Sequence, residues 1–145
     1  MHCIFHVLSD YGYAELAYKL IMQKGYPSYR HLVDKGETSL VEQFMPDGMG
    51  CGSHNHHFLG DVARWFTCAI AGLNVIDSKT AVIKPCYINE INSASAYYDF
   101  PAGRVSVEWK RKDNGIELTV NCCDGVDCDV IANNANIPVT VKYVK

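Results

Sequence analysis

Ser93-Ala-Ser-Ala-Tyr-Tyr-Asp-Phe-Pro-Ala-Gly-Arg-Val-Ser-Val-Glu-Trp109 decides the reading of the second half of this chain. Ser93 to Tyr98 and Arg104 to Lys110 are short runs rich in aromatic and β-branched residues, and Phe100-Pro-Ala-Gly103 between them carries turn residues. The same pattern continues on both sides. Thr80 to Lys84, Ile116 to Asn121, Asp129 to Ala132 and Pro138 to Val144 complete a set of six expected strands separated by turn signals. Asp113-Asn-Gly115 is expected to close a hairpin, because Asn-Gly tolerates the positive φ angles of primed turns. Together these features predict a small antiparallel β-sandwich or partial barrel.

Upstream of Asn74 the hydrophobic period changes from 2 to 3.6. Tyr13, Leu16, Ala17, Leu20 and Ile21 recur at helical spacing, with Ser9 or Asp10 as cap and Gly25 with Pro27 as stop, which predicts a helix over 13–23. A second helix is expected over 55–73, with Leu59, Val62, Phe66, Ala69, Ile70 and Leu73 on one stripe and Ser53 or Asn55 as cap. Between them lie a short helical turn expected near Ser39 to Phe44 and the glycine-rich loop Met45-Pro-Asp-Gly-Met-Gly-Cys-Gly52. The fold class is thus α+β in two parts, residues 1–75 and 76–145. These few helical pieces are too few to close a core of their own, so the first part is expected to be the tail of something larger. The alternative is that the helices pack on the sandwich as one α+β domain.

The composition excludes several classes of function. A formal net charge of −3 over 145 residues, 48% of them hydrophobic and 20% charged, describes a globular protein without the basic stripe of a nucleic-acid binder. No apolar run approaches the roughly 20 residues that span a bilayer, so no membrane partner is expected. The N-terminal Met-His-Cys-Ile-Phe-His-Val-Leu lacks the marks of an export signal. Seven cysteines without regular spacing suit free thiols in a reducing compartment, and a cytoplasmic location is the expectation, the alternative being a parent enzyme exported by a signal outside this sequence.

Three groups of residues could carry chemistry. Glu42 lies beside Phe44 and the glycine-rich loop, a setting suited to a carboxylate in a pocket, with Glu37 as a competing carboxylate and a solvated surface position as the alternative. Ser53-His-Asn-His-His57 places three imidazoles in four residues. His54 and His57, at i and i+3, could share a face and hold a metal, but no third ligand stands at helical spacing, so they are read as hydrogen-bonding groups and no metal or cofactor is expected. Asp61 and Arg64 are expected to form a solvated i, i+3 pair, and the aromatics Tyr97, Tyr98 and Trp109 could form a carbohydrate-binding platform, with alternating strand faces placing some of them in the core instead.

Five segments in order, Leu8-Ser-Asp-Tyr-Gly-Tyr-Ala-Glu-Leu-Ala-Tyr-Lys-Leu20, Gly25-Tyr-Pro-Ser-Tyr29, Gly36-Glu-Thr-Ser-Leu-Val-Glu42, Ser53-His-Asn-His-His-Phe-Leu-Gly60 and Ser93 to Trp109, resemble the C-terminal portion of bacterial α-L-rhamnosidases of glycoside hydrolase family seventy-eight. The resemblance implies that the first part supplies the closing helices of an (α/α)6 barrel and the second the β-sandwich that follows it. It implies an inverting hydrolysis of rhamnose-containing glycosides or oligosaccharides, with Glu42 as general base and His56 lining the sugar pocket. The family's general acid would lie upstream, which makes the isolated chain inactive, and a bared barrel face would promote self-association. Val41, Glu37, His54 and His57 depart from the family's usual residues and leave the sugar specificity open. The alternative function is a non-catalytic carbohydrate-binding or structural β-sandwich module, and a stand-alone metalloprotein using His54 and His57 is a third reading.

Overall fold

A computed structural model describes residues 3–132 and 137–144; Met1 and His2, part of the N-terminal stretch read above, lie outside them. The chain divides into two compact units, Met1–Trp65 and Phe66–Lys145. No helix among the described residues is long and apolar enough to cross a membrane.

The first unit is built on four short helices: α1 (Ile4–Asp10), α2 (Ala14–Met22), α3 (Tyr29–Asp34) and α4 (Asp61–Trp65). Its apolar centre is Phe5, Ala17, Ile21, Val41, Leu59, Val62 and Trp65. The Phe5 ring stands 5.9 Å from Tyr29 and 6.1 Å from Trp65, and the Trp65 indole N–H donates to Ser9 Oγ at 2.8 Å. Ser9 therefore holds α1 to α4 instead of capping α2, which starts after Tyr13 without any side-chain cap. Only Ala17 and Ile21 of the expected α2 stripe are buried; Tyr13, Leu16 and Leu20 are exposed. Ser28 does cap its helix, since its Oγ accepts from the His31 N–H at 3.0 Å at the start of α3.

The long helix expected over 55–73 is much shorter. Residues 56–60 form turns in which the Phe58 N–H donates to His56 Nδ1 and the Gly60 N–H to His57 O, so the backbone enters α4 only at Asp61. From Phe66 to Ala71 the chain is π-helical. Each π turn takes an extra residue, which rotates the inward face. Trp65 and Ala71 are buried while Phe66 is exposed, and Leu73 already belongs to a strand.

The second unit contains β1 (Leu73–Asp77), β2 (Thr80–Ile83), β3 (Ser93–Phe100), β4 (Gly103–Lys112), β5 (Gly115–Asn121), β6 (Asp127–Val130) and β7 (Val139–Val144). All six expected strands form, and β1 is added at the junction between the two parts, where only Leu73 had been expected in a helix. They make two small sheets, β1-β2-β6 and β3-β4-β5-β7. The sheets are mixed, not antiparallel as expected: β6 joins β2 and β7 joins β5 in parallel. After β5 the chain leaves its sheet, adds β6 to the other one and returns, so β7 runs the same way as β5. Strict alternation puts Val105, Val107 and Trp109 of β4 and Ile116, Leu118 and Val120 of β5 inward, paired as Val107 to Val120 and Trp109 to Leu118. The β4–β5 turn is centred on Asp113-Asn114, because Gly115 already pairs with Lys112, and no residue other than glycine among those described has a positive φ.

Two further expectations change here. Trp109 is fully buried, with its indole N–H donating to Ile70 O at 2.7 Å and its ring 5.3 Å from Tyr87, so it is core and not platform. Cys122 and Cys128 are joined as a disulfide with Cα atoms 6.5 Å apart, not free thiols; the crossover into β6 folds back far enough to bring them within reach. Sequence spacing alone carries no sign of that fold-back.

Candidate functional site

The expected helix near Ser39 to Phe44 does not form, because its backbone groups are committed elsewhere. The Glu42 N–H donates to Ser53 O at 2.8 Å, the His56 N–H donates to Leu40 O at 2.8 Å, and the Ser39 hydroxyl donates to His54 O. Residues 39–42 and 53–56 thus lie side by side as a short two-segment ladder, closed by the glycine-rich loop. Val41, fully buried, points its side chain into the apolar centre and anchors the ladder there. Tyr29 fixes the far end by donating its hydroxyl to Leu59 O at 2.9 Å, and its ring meets Phe44 edge to face at 5.2 Å. Burial, reinforced by the nearby Asp61 carboxylate, pushes the Tyr29 phenol up to about 12.

Glu42 and His56 stand on this same ladder. The Glu42 side chain is half-buried and its Oε2 accepts from the Ser53 N–H at 3.1 Å, so residue 53 holds Glu42 through both backbone and carboxylate. Gly52 makes room for this. A Cβ at Gly52 would lie 2.6 Å from Glu42 Oε2, and the backbone there has φ +74°, which suits glycine. With one carboxylate oxygen bonded to Ser53, the other is left to accept a proton.

His56 is half-buried, its ring 4.9 Å from that of His57 in a near-parallel stack and 4.1 Å from Phe58. Since Nδ1 accepts from the Phe58 N–H at 3.2 Å, the neutral ring carries its proton on Nε2 and offers it as a donor. His54 goes elsewhere: its Nδ1 stands 3.1 Å from Glu37 Oε2. His54 and His57 therefore serve different neighbours, and among the described residues no three His, Cys, Asp or Glu are grouped to hold a metal ion. Asp47 pins the loop to α3, receiving Lys35 Nζ at 2.6 Å and lying 3.1 Å from His31 Nε2; the hydrogen bond from Lys35, then that from His31, holds its carboxyl below the usual range. Ser53 was read as a helix cap and Gly52 and Asp47 only as members of the glycine-rich loop, so none of the three was expected to hold a site residue, although the run of glycines before Ser53 is the signal of a close backbone approach.

Residues 1–70 match the family model described as bacterial alpha-L-rhamnosidase 6 hairpin glycosidase domain, and residues 78–142 match the bacterial alpha-L-rhamnosidase C-terminal domain. The chain belongs to the bacterial α-L-rhamnosidase family. Among its curated relatives, the alpha-L-rhamnosidase of Streptomyces avermitilis is 34% identical over 122 residues, 78% of this chain and 12% of the relative. The solved alpha-L-rhamnosidase of Dictyoglumus thermophilum superposes with a TM-score of 0.81 at 31% identity, covering 89% of this chain and 15% of the other. The Streptomyces avermitilis rhamnosidase complexed with L-rhamnose gives 0.77 at 30% identity, over 88% of this chain and 13% of that one. The chain thus spans about an eighth of the length of the Streptomyces relative it matches.

Proposed function

We propose that this chain contributes to an inverting glycoside hydrolase that removes terminal α-L-rhamnose from glycosides or polysaccharides. Residues 1–75 would supply the closing helices of an (α/α)6 barrel and residues 76–145 the β-sandwich that follows. Glu42 is the general base. The observation that carries this reading is the seat of its carboxylate: one oxygen is held by the Ser53 N–H at 3.1 Å against a residue without a side chain, which orients the other toward a water. The water, deprotonated by Glu42, attacks the anomeric carbon while a carboxylic acid about 6.5–9.5 Å away protonates the leaving oxygen on the opposite face. His56 donates from Nε2 to a sugar hydroxyl. The family relationship and the L-rhamnose complex of a relative support the choice of sugar.

The general acid belongs to another part of the barrel, so the isolated chain does not turn over. The test is release of the aryl group from an aryl α-L-rhamnoside by purified chain. No turnover above buffer is expected, and turnover that Glu42→Gln abolishes would refute the assignment of the acid. The exposed apolar side chains of α1 and α2, among them Ile4, Val7, Leu16 and Leu20, would lead the isolated chain to self-associate.

A second reading is a non-catalytic carbohydrate-binding module. Tyr97 is 61% exposed and lines an open groove of about 480 Å³ with Ser95, Ser106 and Glu108. Arg104 already covers one face of that ring at 4.1 Å, and Trp109 is lost to the core. Sugar binding that survives Glu42→Gln and His56→Ala but not Tyr97→Ala would favour the module.

A further inference from the structure

A covalent tie joins the two sheets of the second unit. Cys122 directly follows β5, whose Val120 is fully buried, and Cys128 is the second residue of β6, so the disulfide fastens β6 to the end of a strand in the other sheet. Little else holds β6. It is the edge strand of the sheet β1-β2-β6, and none of its residues, Asp127 to Val130, is buried. Its attachment to β2 is a short parallel ladder, Thr80 with Asp127 through Ile83 with Val130, closed by the Asp127 N–H on Lys79 O and the Ile131 N–H on Ile83 O, each at 2.8 Å. When such a strand lifts away, its backbone groups exchange one another for water and no large apolar side chain leaves the core, so the opening costs little and stays local. β2 is the opposite case, because Ala81 and Ile83 are fully buried.

We propose that the Cys122–Cys128 disulfide is a redox latch on β6. Oxidised, it keeps β6 on β2; reduced, it lets β6 detach by itself while β1, β2 and the four-stranded sheet stay folded. Both cysteines are half-buried and within reach of a small thiol reductant. One thiolate of the reductant attacks a sulfur of the bridge, forming a mixed disulfide and releasing the other cysteine. A second thiolate then attacks the reductant's sulfur in that mixed disulfide and releases the remaining cysteine. Two electrons and two protons pass to the protein, which ends with two thiols, and the reductant leaves as its own disulfide. Detachment frees Lys79 O and Ile83 O and leaves β2 as an open strand edge. The inference stands apart from the hydrolytic role of Glu42.

The bridge spans a sequence separation of 6, and opening so short a ring frees chain entropy that favours the detached strand about 30-fold. The intact oxidised chain and the same chain reduced with dithiothreitol are compared by amide hydrogen exchange across a series of low urea concentrations. Exchange at the Asp127 and Ile131 amides should speed about 30-fold on reduction and stay nearly independent of urea, the mark of an opening that exposes little surface. The amide of Leu118, fully buried in β5, should exchange more slowly and with a steep urea dependence, because it opens only when the whole unit unfolds. Cys122→Ser combined with Cys128→Ser should reproduce the reduced pattern without reductant. Equal rates at Asp127 and Ile131 in the oxidised and reduced chains would overturn the latch. So would β6 amides that follow Leu118 in rate and urea slope, or an oxidised chain in which peptide mapping finds Cys122 and Cys128 unlinked.

Discussion

Replacing Gly52 by alanine tests how the candidate general base is held. The new methyl would sit 2.6 Å from Glu42 Oε2 and 3.2 Å from its Cδ, inside contact distance, at a backbone φ of +74°. The left-handed conformation costs an L-residue about 1 kcal/mol. Displacing the carboxylate from the Ser53 N–H costs about 1 kcal/mol more, below the usual range for a charged hydrogen bond because the site is only half-buried. The sum is about 2 kcal/mol. In a Glu42→Ala background the second part disappears, so the cost of Gly52→Ala should fall to about 1 kcal/mol, a coupling that a double-mutant cycle isolates. The readout is the indole N–H resonance of Trp65 through a urea titration. That group bonds to Ser9 Oγ, and Trp65 shares the apolar centre with Val41 of the ladder, while the Trp109 resonance reports the second unit. Equal costs in the two backgrounds would show that the carboxylate does not rest where Gly52 leaves room, and the account of the site would fail.

Other perturbations address the scaffold. Trp109→Ala should destabilise the second unit by about 3–5 kcal/mol, since it empties a fully buried site and orphans Ile70 O, whereas an exposed binding platform would lose almost nothing. Tyr29 has a folded-state pKa raised to about 12, so the stabilisation from its neutral phenol is complete below about 10 and lost as pH rises from about 10 to about 12. Tyr87, raised to about 12 by its own burial, adds to the same loss, so Tyr29→Phe should shrink the alkaline destabilisation without abolishing it, as urea midpoints at two pH values would show. Cys122→Ser should cost about 2 kcal/mol in the second unit, the loop-closure value for so short a ring, and the cost should vanish when the parent chain is reduced.

The β half was legible because alternation is a local signal: Val105, Val107 and Trp109 face the core for the reason their spacing suggests. Which strands pair is not local. The parallel partners of β2 and β5 follow from where the chain goes after Asn121, and so does the Cys122–Cys128 bridge. In the first half the apolar stripe identified Leu59, Val62, Ala69, Ile70 and Leu73 as buried, but not where the helix begins. That was decided by side-chain and turn hydrogen bonds at His56 to Gly60, which compete with helix and leave no trace in hydrophobic periodicity. Glu42 and His56 could be named as candidates from motif order, yet the ladder that holds them replaced an expected helical turn. Trp109 was left open between platform and core because an aromatic at an alternating position suits either face until the sheet's inner side is known.

Titration of the isotope-labelled chain with L-rhamnose, followed by backbone and imidazole NMR shifts, asks where the sugar goes. Saturable shifts centred on Glu42, Ser53 and His56, lost in His56→Ala and unaffected by Tyr97→Ala, are the expected result. Shifts centred on Tyr97 and Tyr98 with the ladder silent would contradict the placing of the sugar site beside Glu42.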